Sequence, residues 1–391
     1  MYSPGLYRKL EGEYVFLTER LISLATYGLA LALFCWLVGS TARKQYRIVV
    51  VAYLIVLGAF AFFYQPYITA DLYRLRKYME WWIHKPLNEI FAYSLRNSAP
   101  TWVLYSYFLR QLDNINWLQT VTCLWTFGNA FYIVIHEIEN DDVRGRNRGV
   151  MLFFVMAVGA LFLQAISGIR TMLGISIVAF CFYRETVEKK SLVPHMILYL
   201  FAALLHSASM ILVISRFAFL VIQYKEPTKK VLMSILVLAF GAFSLHYLGD
   251  YISGSFVYGR RYLLNRNEYT YIWEIIIGLF ETVQTGYVLY QFRRRYRYAE
   301  GMEDYSAVWK FCTLWTVISV IALPFSYSIF RRYTIFCTLI AVPLLGKLIE
   351  DEQKSENSRS PMLRTIWMLS FIIFAISGVR GDLCGYKFFV L

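Results

Sequence analysis

A small set of charged and titratable residues stands where a mostly apolar chain has little reason to keep them. Arg170 is the only charged residue between Gly149 and Tyr183. Asp71 and Arg74 lie three apart, which puts both on one face of a helix. His206 is followed by Ser207 inside an apolar run, and Arg331-Arg332-Tyr333 opens a late apolar segment. Arg260, Arg261 and Arg266 lie in a stretch rich in Tyr and Gly. Guanidinium groups bind phosphate oxygens in bidentate fashion and stay charged. A carboxylate or an imidazole can take a proton from a hydroxyl. Each group also has a plainer reading. Asp71 and Arg74 could be an exposed ion pair, Arg170 could reach to lipid headgroups, and His206 could be a packing histidine. Arg331 and Arg332 could anchor a helix at the interface, and the three loop arginines could be solvated. A shared role depends on the elements that would bring these residues to one place.

Those elements are membrane helices. Of 391 residues, 58% are hydrophobic and 17% charged, a balance that a soluble domain does not carry. The run around Arg170 is too long for one span of about 20 residues. It therefore reads as two, with Ser167-Gly168-Ile169-Arg170 near the turn, where an arginine must face protein, water or an anion. The reading is an all-α integral membrane protein, one polytopic domain over residues 1–391. About twelve spans are expected, near 21–39, 48–64, 119–137, 150–167, 168–183, 192–206, 207–222, 231–247, 271–290, 307–325, 331–348 and 365–380. The polar N-terminus has no cleavable leader pattern. The six cysteines form no metal or disulfide pattern.

The net charge of +13 reads as topological rather than as a nucleic-acid signal. Arg and Lys cluster in every second connection, from Arg43–Arg47 to Lys347–Arg364. The positive-inside rule makes that side cytoplasmic. The segment 191–223 is long for one span and short for two. We read it as two short helices meeting below the outer surface, with His206 on the floor of an outward cavity. Two outer connections are long, 65–118 and 248–270. The first holds an amphipathic stretch from Ala70 to Arg96, in which Leu72, Leu75, Met79, Trp82, Ile83, Leu87 and Ile90 recur at helical spacing. Under this topology Asp71, Arg74, Arg170, His206, Arg331 and Arg332 share the outer side. Arginines at that depth suit a lipid-borne diphosphate. The 31 tyrosines suit sugars, whose C–H faces stack on aromatic rings.

Asp71-Leu72-Tyr73-Arg74 after the second span, the Gly168-Ile169-Arg170 turn, His206-Ser207-Ala208 and the Arg331/Arg332-Tyr333 start of a late span together resemble the EpsG-like branch of the bacterial Wzy polysaccharide polymerases. The similarity runs from about residue 65 to 350 by spacing. Thr69-Ala70 precede Asp71 where such relatives often carry a glycine. The resemblance implies a metal-independent glycosyltransferase of the inner membrane with no cofactor. It would join undecaprenyl-diphosphate-linked repeat units into O-antigen or a similar polysaccharide on the periplasmic side. Asp71, His206 and Arg170 are then the catalytic candidates. Arg170, Arg331, Arg332 and Arg74 would hold the diphosphate, and Tyr333, Arg260 and Arg261 would contact sugar. Asp71 or His206 could be the base, or His206 could only donate a hydrogen bond. Lipid-linked repeat units and membrane lipids are the implied partners, with a Wzz-type chain-length regulator as a further one.

Other classes compete. A transporter or flippase for a lipid-linked oligosaccharide would carry internal repeats. The one echo is Ala165-Ile166-Ser167-Gly168-Ile169-Arg170 against Ala375-Ile376-Ser377-Gly378-Val379-Arg380. An O-antigen ligase would use a similar donor. A membrane acyltransferase would rest on His206 alone.

Overall fold

The computed structural model describes residues 22, 24–66, 71–139, 146–160, 162–223, 226–239, 241–242, 269–296, 303–354 and 360–380. Every regular element among them is helical. In chain order the first half comprises α1 (Leu24–Ser40), a short 3-10 turn at Arg43–Gln45, α2 (Tyr46–Phe63), α3 (Asp71–Glu80), α4 (Leu87–Leu95), α5 (Pro100–Arg110), α6 (Trp117–Glu139), α7 (Arg146–Gly159) and α8 (Phe162–Ser167). The second half comprises α9 (Ile169–Thr186), α10 (Leu192–Leu205), α11 (Ser207–Gln223), α12 (227–239), α13 (Tyr269–Tyr296), α14 (Glu303–Ala322), α15 (Tyr327–Lys354) and α16 (Pro361–Arg380). Among the described residues, six helices (α2, α6, α13, α14, α15 and α16) contain stretches long and apolar enough to cross a membrane, and α1, α7, α10 and α11 are shorter apolar helices. α9 is as long as α2 but carries Arg170, Arg184 and Glu185. The chain is a multi-pass helical membrane protein.

α15 is the centre of the bundle. Within its length, 94% of the most apolar window is buried, against 28–39% for α2, α13, α14 and α16. It packs against α13, α14, α7, α6 and α9. Lipid supplies no hydrophobic drive between helices, so small residues and interhelical hydrogen bonds must fix their contacts. Asn129 on α6 donates to Ser176 on α9 at 3.2 Å, and Gln284 on α13 to Ser370 on α16 at 2.6 Å. A Cβ at Gly174 would overlap the Ser209 hydroxyl, so α9 and α11 approach closely because position 174 has no side chain. Gly278 plays the same part for α13 against α15, where a Cβ would lie 2.6 Å from the Phe330 ring.

Ion pairs mark one face of the bundle. Arg47 at the start of α2 meets Glu139 at the end of α6 at 2.6 Å. Arg216 on α11 donates twice to Glu185 on α9, at 3.1 and 3.2 Å. Arg295 near the end of α13 pairs with Glu352 near the end of α15. Arg148, expected in a basic connection, is instead buried, and its guanidinium donates to the Glu137 carbonyl at 3.0 Å. These contacts gather the start of α2 and α7 with the ends of α6, α9, α11, α13 and α15. The opposite ends of the same helices form the other face.

The stretch 191–223 is two short helices, as expected: α10 and α11 pack side by side and are joined at His206, while several other boundaries differ from expectation. At 1.5 Å per residue, the 14 residues of α10 rise about 21 Å, short of a full hydrocarbon core. The expected span 150–167 is broken into α7 and α8. The amphipathic stretch 70–96 is α3 and α4 rather than one helix, and α5 follows it. Pro86 lacks an N–H and sits just before α4 in extended geometry, so the helical register restarts there. Leu72, Leu75, Met79, Trp82 and Ile90 are buried as expected, but Ile83 and Leu87 face outward. The connection 248–270 lies outside the described residues, apart from its last two positions in α13. The hexapeptide echo is not structural. Its first copy is broken at Gly168 between α8 and α9, while the second lies within the continuous α16.

Candidate active site

On the face opposite the ion pairs, a cavity of about 270 Å³ is lined by Asp71, Arg74 and Tyr78 of α3, by Ser167 to Thr171, by His206 and by Arg332. Four separate parts of the chain supply it.

Asp71 opens α3, where a carboxylate suits the positive end of a helix. It pairs with Arg74 one turn on. Both side chains are about two-thirds exposed (65% and 67%). Such a pair contributes only about 0–1 kcal/mol, so either partner can turn to a ligand at small cost.

Arg170 is the second residue of α9. The Gln164 backbone carbonyl lies 3.0 Å from where a Cβ on Gly168 would sit, a close approach that favours glycine at the break. No side chain caps α9. The first N–H groups of a helix lack intrahelical partners, and Ile169, Arg170 and Thr171 all line the cavity. The cavity therefore holds both a guanidinium and the positive end of a helix, an arrangement that binds anions. The Arg170 guanidinium lies 5.7 Å from the centre of the Trp102 ring on α5, a cation–π contact that holds the charge beside the cavity it lines. Arg170 and Arg332 both line the cavity, and an anion bound between two guanidiniums offsets their mutual repulsion.

His206 lies in the break between α10 and α11, with extended backbone (φ −159°, ψ 140°). Its Nδ1 accepts the Ala208 N–H at 3.0 Å, so the ring caps α11. That bond assigns the proton of the neutral ring to Nε2, which makes Nε2 a donor. Nδ1 is the ring's accepting nitrogen and is already engaged.

Two expected residues lie elsewhere. Arg331 is buried and forms a two-point ion pair with Glu281 on α13, one contact measuring 3.1 Å. It ties α13 to α15 and is not among the cavity-lining residues. Tyr333 is buried, 4.4 Å from the Trp315 ring, and its hydroxyl donates to the Ala208 carbonyl at 3.4 Å. It braces the start of α11 instead of offering a face to sugar. Arg332, turned about 100° from Arg331 on the helix, lines the cavity, and Arg331 does not. Arg260, Arg261 and Arg266 lie outside the described residues. Tyr78, Ser167, Thr171 and Trp102 were not among the site residues expected from the sequence. Tyr78 falls one turn beyond Arg74 on the same face, a spacing that could have drawn attention to it. Among the described residues, no group of three or more His, Cys, Asp or Glu side chains could hold a metal ion.

The family model described as the EpsG family matches residues 46–388. The chain belongs to the EpsG family. This match is wider than the 65–350 region that carries the short motifs, and it takes in every described helix from α2 to α16. EpsG proteins are related to Wzy-type polymerases, so this chain is a membrane protein of polysaccharide biosynthesis. None of the curated proteins and none of the solved structures compared with it matches.

Proposed function

We propose that this EpsG-family protein is a polymerase of lipid-linked oligosaccharides, working at the outer face of the bacterial inner membrane. In this reading the cavity receives the diphosphate of an undecaprenyl-diphosphate-linked glycan. The observation that carries it is the convergence of Asp71, Arg74, Arg170, His206 and Arg332, with the start of α9, on one cavity. The alternation of basic connections supports the outer placement.

The reaction exchanges one C–O bond for another. The bond from the donor sugar's anomeric carbon to the diphosphate oxygen breaks, and its electron pair stays with the leaving polyprenyl diphosphate. The anomeric carbon forms a new bond to a hydroxyl of the terminal sugar on a second lipid-linked unit. That hydroxyl's proton passes to the Asp71 carboxylate. Charge grows on the diphosphate as the bond breaks. Arg170, Arg332 and the α9 N–H groups are preorganised around the place where it grows, and Arg74 can leave Asp71 to join them. This exchange would also free Asp71 to act as base. His206 donates Nε2–H to a phosphate or sugar oxygen.

Arg170→Ala tests the reading in cells. The expected outcome is normal membrane insertion with loss of the long polysaccharide ladder, leaving single repeat units. A ladder of ordinary length from that variant would rule the assignment out.

A further inference from the structure

We propose that a second cavity, at the ion-paired end of the bundle, binds a phosphate-ester anion. It lies between the end of α9, the start of α10, the end of α11 and the start of α14, and its volume is about 700 Å³. That is room for a phosphate with its glycerol or sugar ester, not for an ion alone.

Its lining is strongly cationic. Lys189, Lys190, Lys310 and Arg216 contribute to it, against one carboxylate among the described lining residues, Glu185. Arg216 donates to Glu185 at 3.1 and 3.2 Å and lies 4.9 Å from the Phe182 ring centre. Glu185 is thus engaged by protein, and the lysines dominate the cavity. The end of α9 carries Lys189 and Lys190 there. Lys189 has φ 58°, the one non-glycine positive φ among the described residues, and the Lys190 N–H returns to the Arg184 carbonyl at 2.9 Å, a left-handed close of the helix end that sets both lysines beside the cavity.

The remaining wall is apolar and reaches the outer surface of the bundle. Ile222 lines the cavity and is 78% exposed, and Val193, beside the lining residue Leu192, is 75% exposed. Lysines beside a lipid-facing apolar rim suit an amphiphile entering sideways from the bilayer. The same lysines would also accept a soluble phosphate compound. This site lies at the other end of α9, α10 and α11 from Arg170 and His206, so it is separate from the proposed active site.

Native mass spectrometry of the full-length protein in detergent tests the proposal, with phosphatidylglycerol and phosphatidylcholine titrated in turn. The lysines Lys190 and Lys310 are exposed, so Lys190→Gln/Lys310→Gln should fold normally. Each lysine near a phosphate-bearing surface contributes enough that the double variant should hold phosphatidylglycerol about thirtyfold more weakly. The Lys→Arg counterpart should retain it, as should Arg170→Ala. Equal retention of phosphatidylcholine, unchanged binding by the Gln variant, or loss in Arg170→Ala would each overturn the proposal. Inorganic phosphate, added as competitor, separates the two sources. Displacement of phosphatidylglycerol at millimolar phosphate supports a soluble phosphate ligand, and persistence supports a lipid headgroup.

Discussion

Arg331 and Arg332 are adjacent in the chain, yet their substitutions should fail in opposite ways. Arg332 lines the cavity with Arg170 and His206. Removing one preorganised donor to developing charge costs about 3–4 kcal/mol in the transition state, or roughly 10²–10³ in rate. Arg332→Ala should therefore accumulate normally and lose activity by about that factor, with Arg332→Lys recovering part of it. Arg331 is 6% exposed and its partner Glu281 0%. Truncating Arg331 strands a buried carboxylate, at about 3–5 kcal/mol of stability. That is a large share of the roughly 5–15 kcal/mol that holds a typical domain. Arg331→Ala should thus lower yield and melting temperature. Arg331→Met/Glu281→Leu should restore both, since well-packed hydrophobes often replace a buried pair without loss. The assay is melting temperature and elongation of lipid-linked repeat units, measured on each purified variant. A well-folded but inactive Arg331→Met/Glu281→Leu protein beside a fully active Arg332→Ala protein would show that the two arginines have been assigned the wrong way round.

Asp71→Asn should lower elongation by about 10²–10⁴, the usual contribution of a general base, with little change in melting temperature because the carboxylate is exposed. His206→Gln keeps an amide N–H in place of Nε2–H and should retain activity within about tenfold; a loss as deep as that of Asp71→Asn would make His206 the base. Gly174→Ala should destabilise the protein by about 1–3 kcal/mol through overlap with the Ser209 hydroxyl. Ser209→Ala in the same chain should relieve part of that, and thermal denaturation reads both. In a cysteine-free background, Tyr78→Cys should react with an impermeant maleimide on intact spheroplasts, whereas Lys190→Cys should react only after permeabilisation. The reverse pattern would invert the topology.

Much of this fold could be read from the chain because lipid imposes a simple rule on length and polarity. The helices lie close to the apolar runs, and the two-helix reading of 191–223 followed from its being too long for one span. Positions that depend on local breaks were harder. Pro86 divides the amphipathic stretch, and α7 ends at Gly159 within the run before Arg170, although neither interruption changes the composition of its surroundings. Asp71, Arg74, Arg170, His206 and Arg332 stood out because charge is scarce in such a chain. What could not be read was which way a side chain points. The partner of Arg331 is Glu281, 50 positions away, and the partner of Arg170 is Trp102; neither pairing has a local signal. The start of α9 contributes backbone N–H groups, which no residue type announces.

Reconstitution decides the central claim. Purified protein in vesicles would be given synthetic polyprenyl-diphosphate-linked repeat units, and both glycan length and released polyprenyl diphosphate would be counted. We expect longer glycans, with one polyprenyl diphosphate released for each new linkage, and neither product from Arg170→Ala. Repeat units that cross the vesicle membrane unchanged in length would instead make this chain a carrier rather than a polymerase.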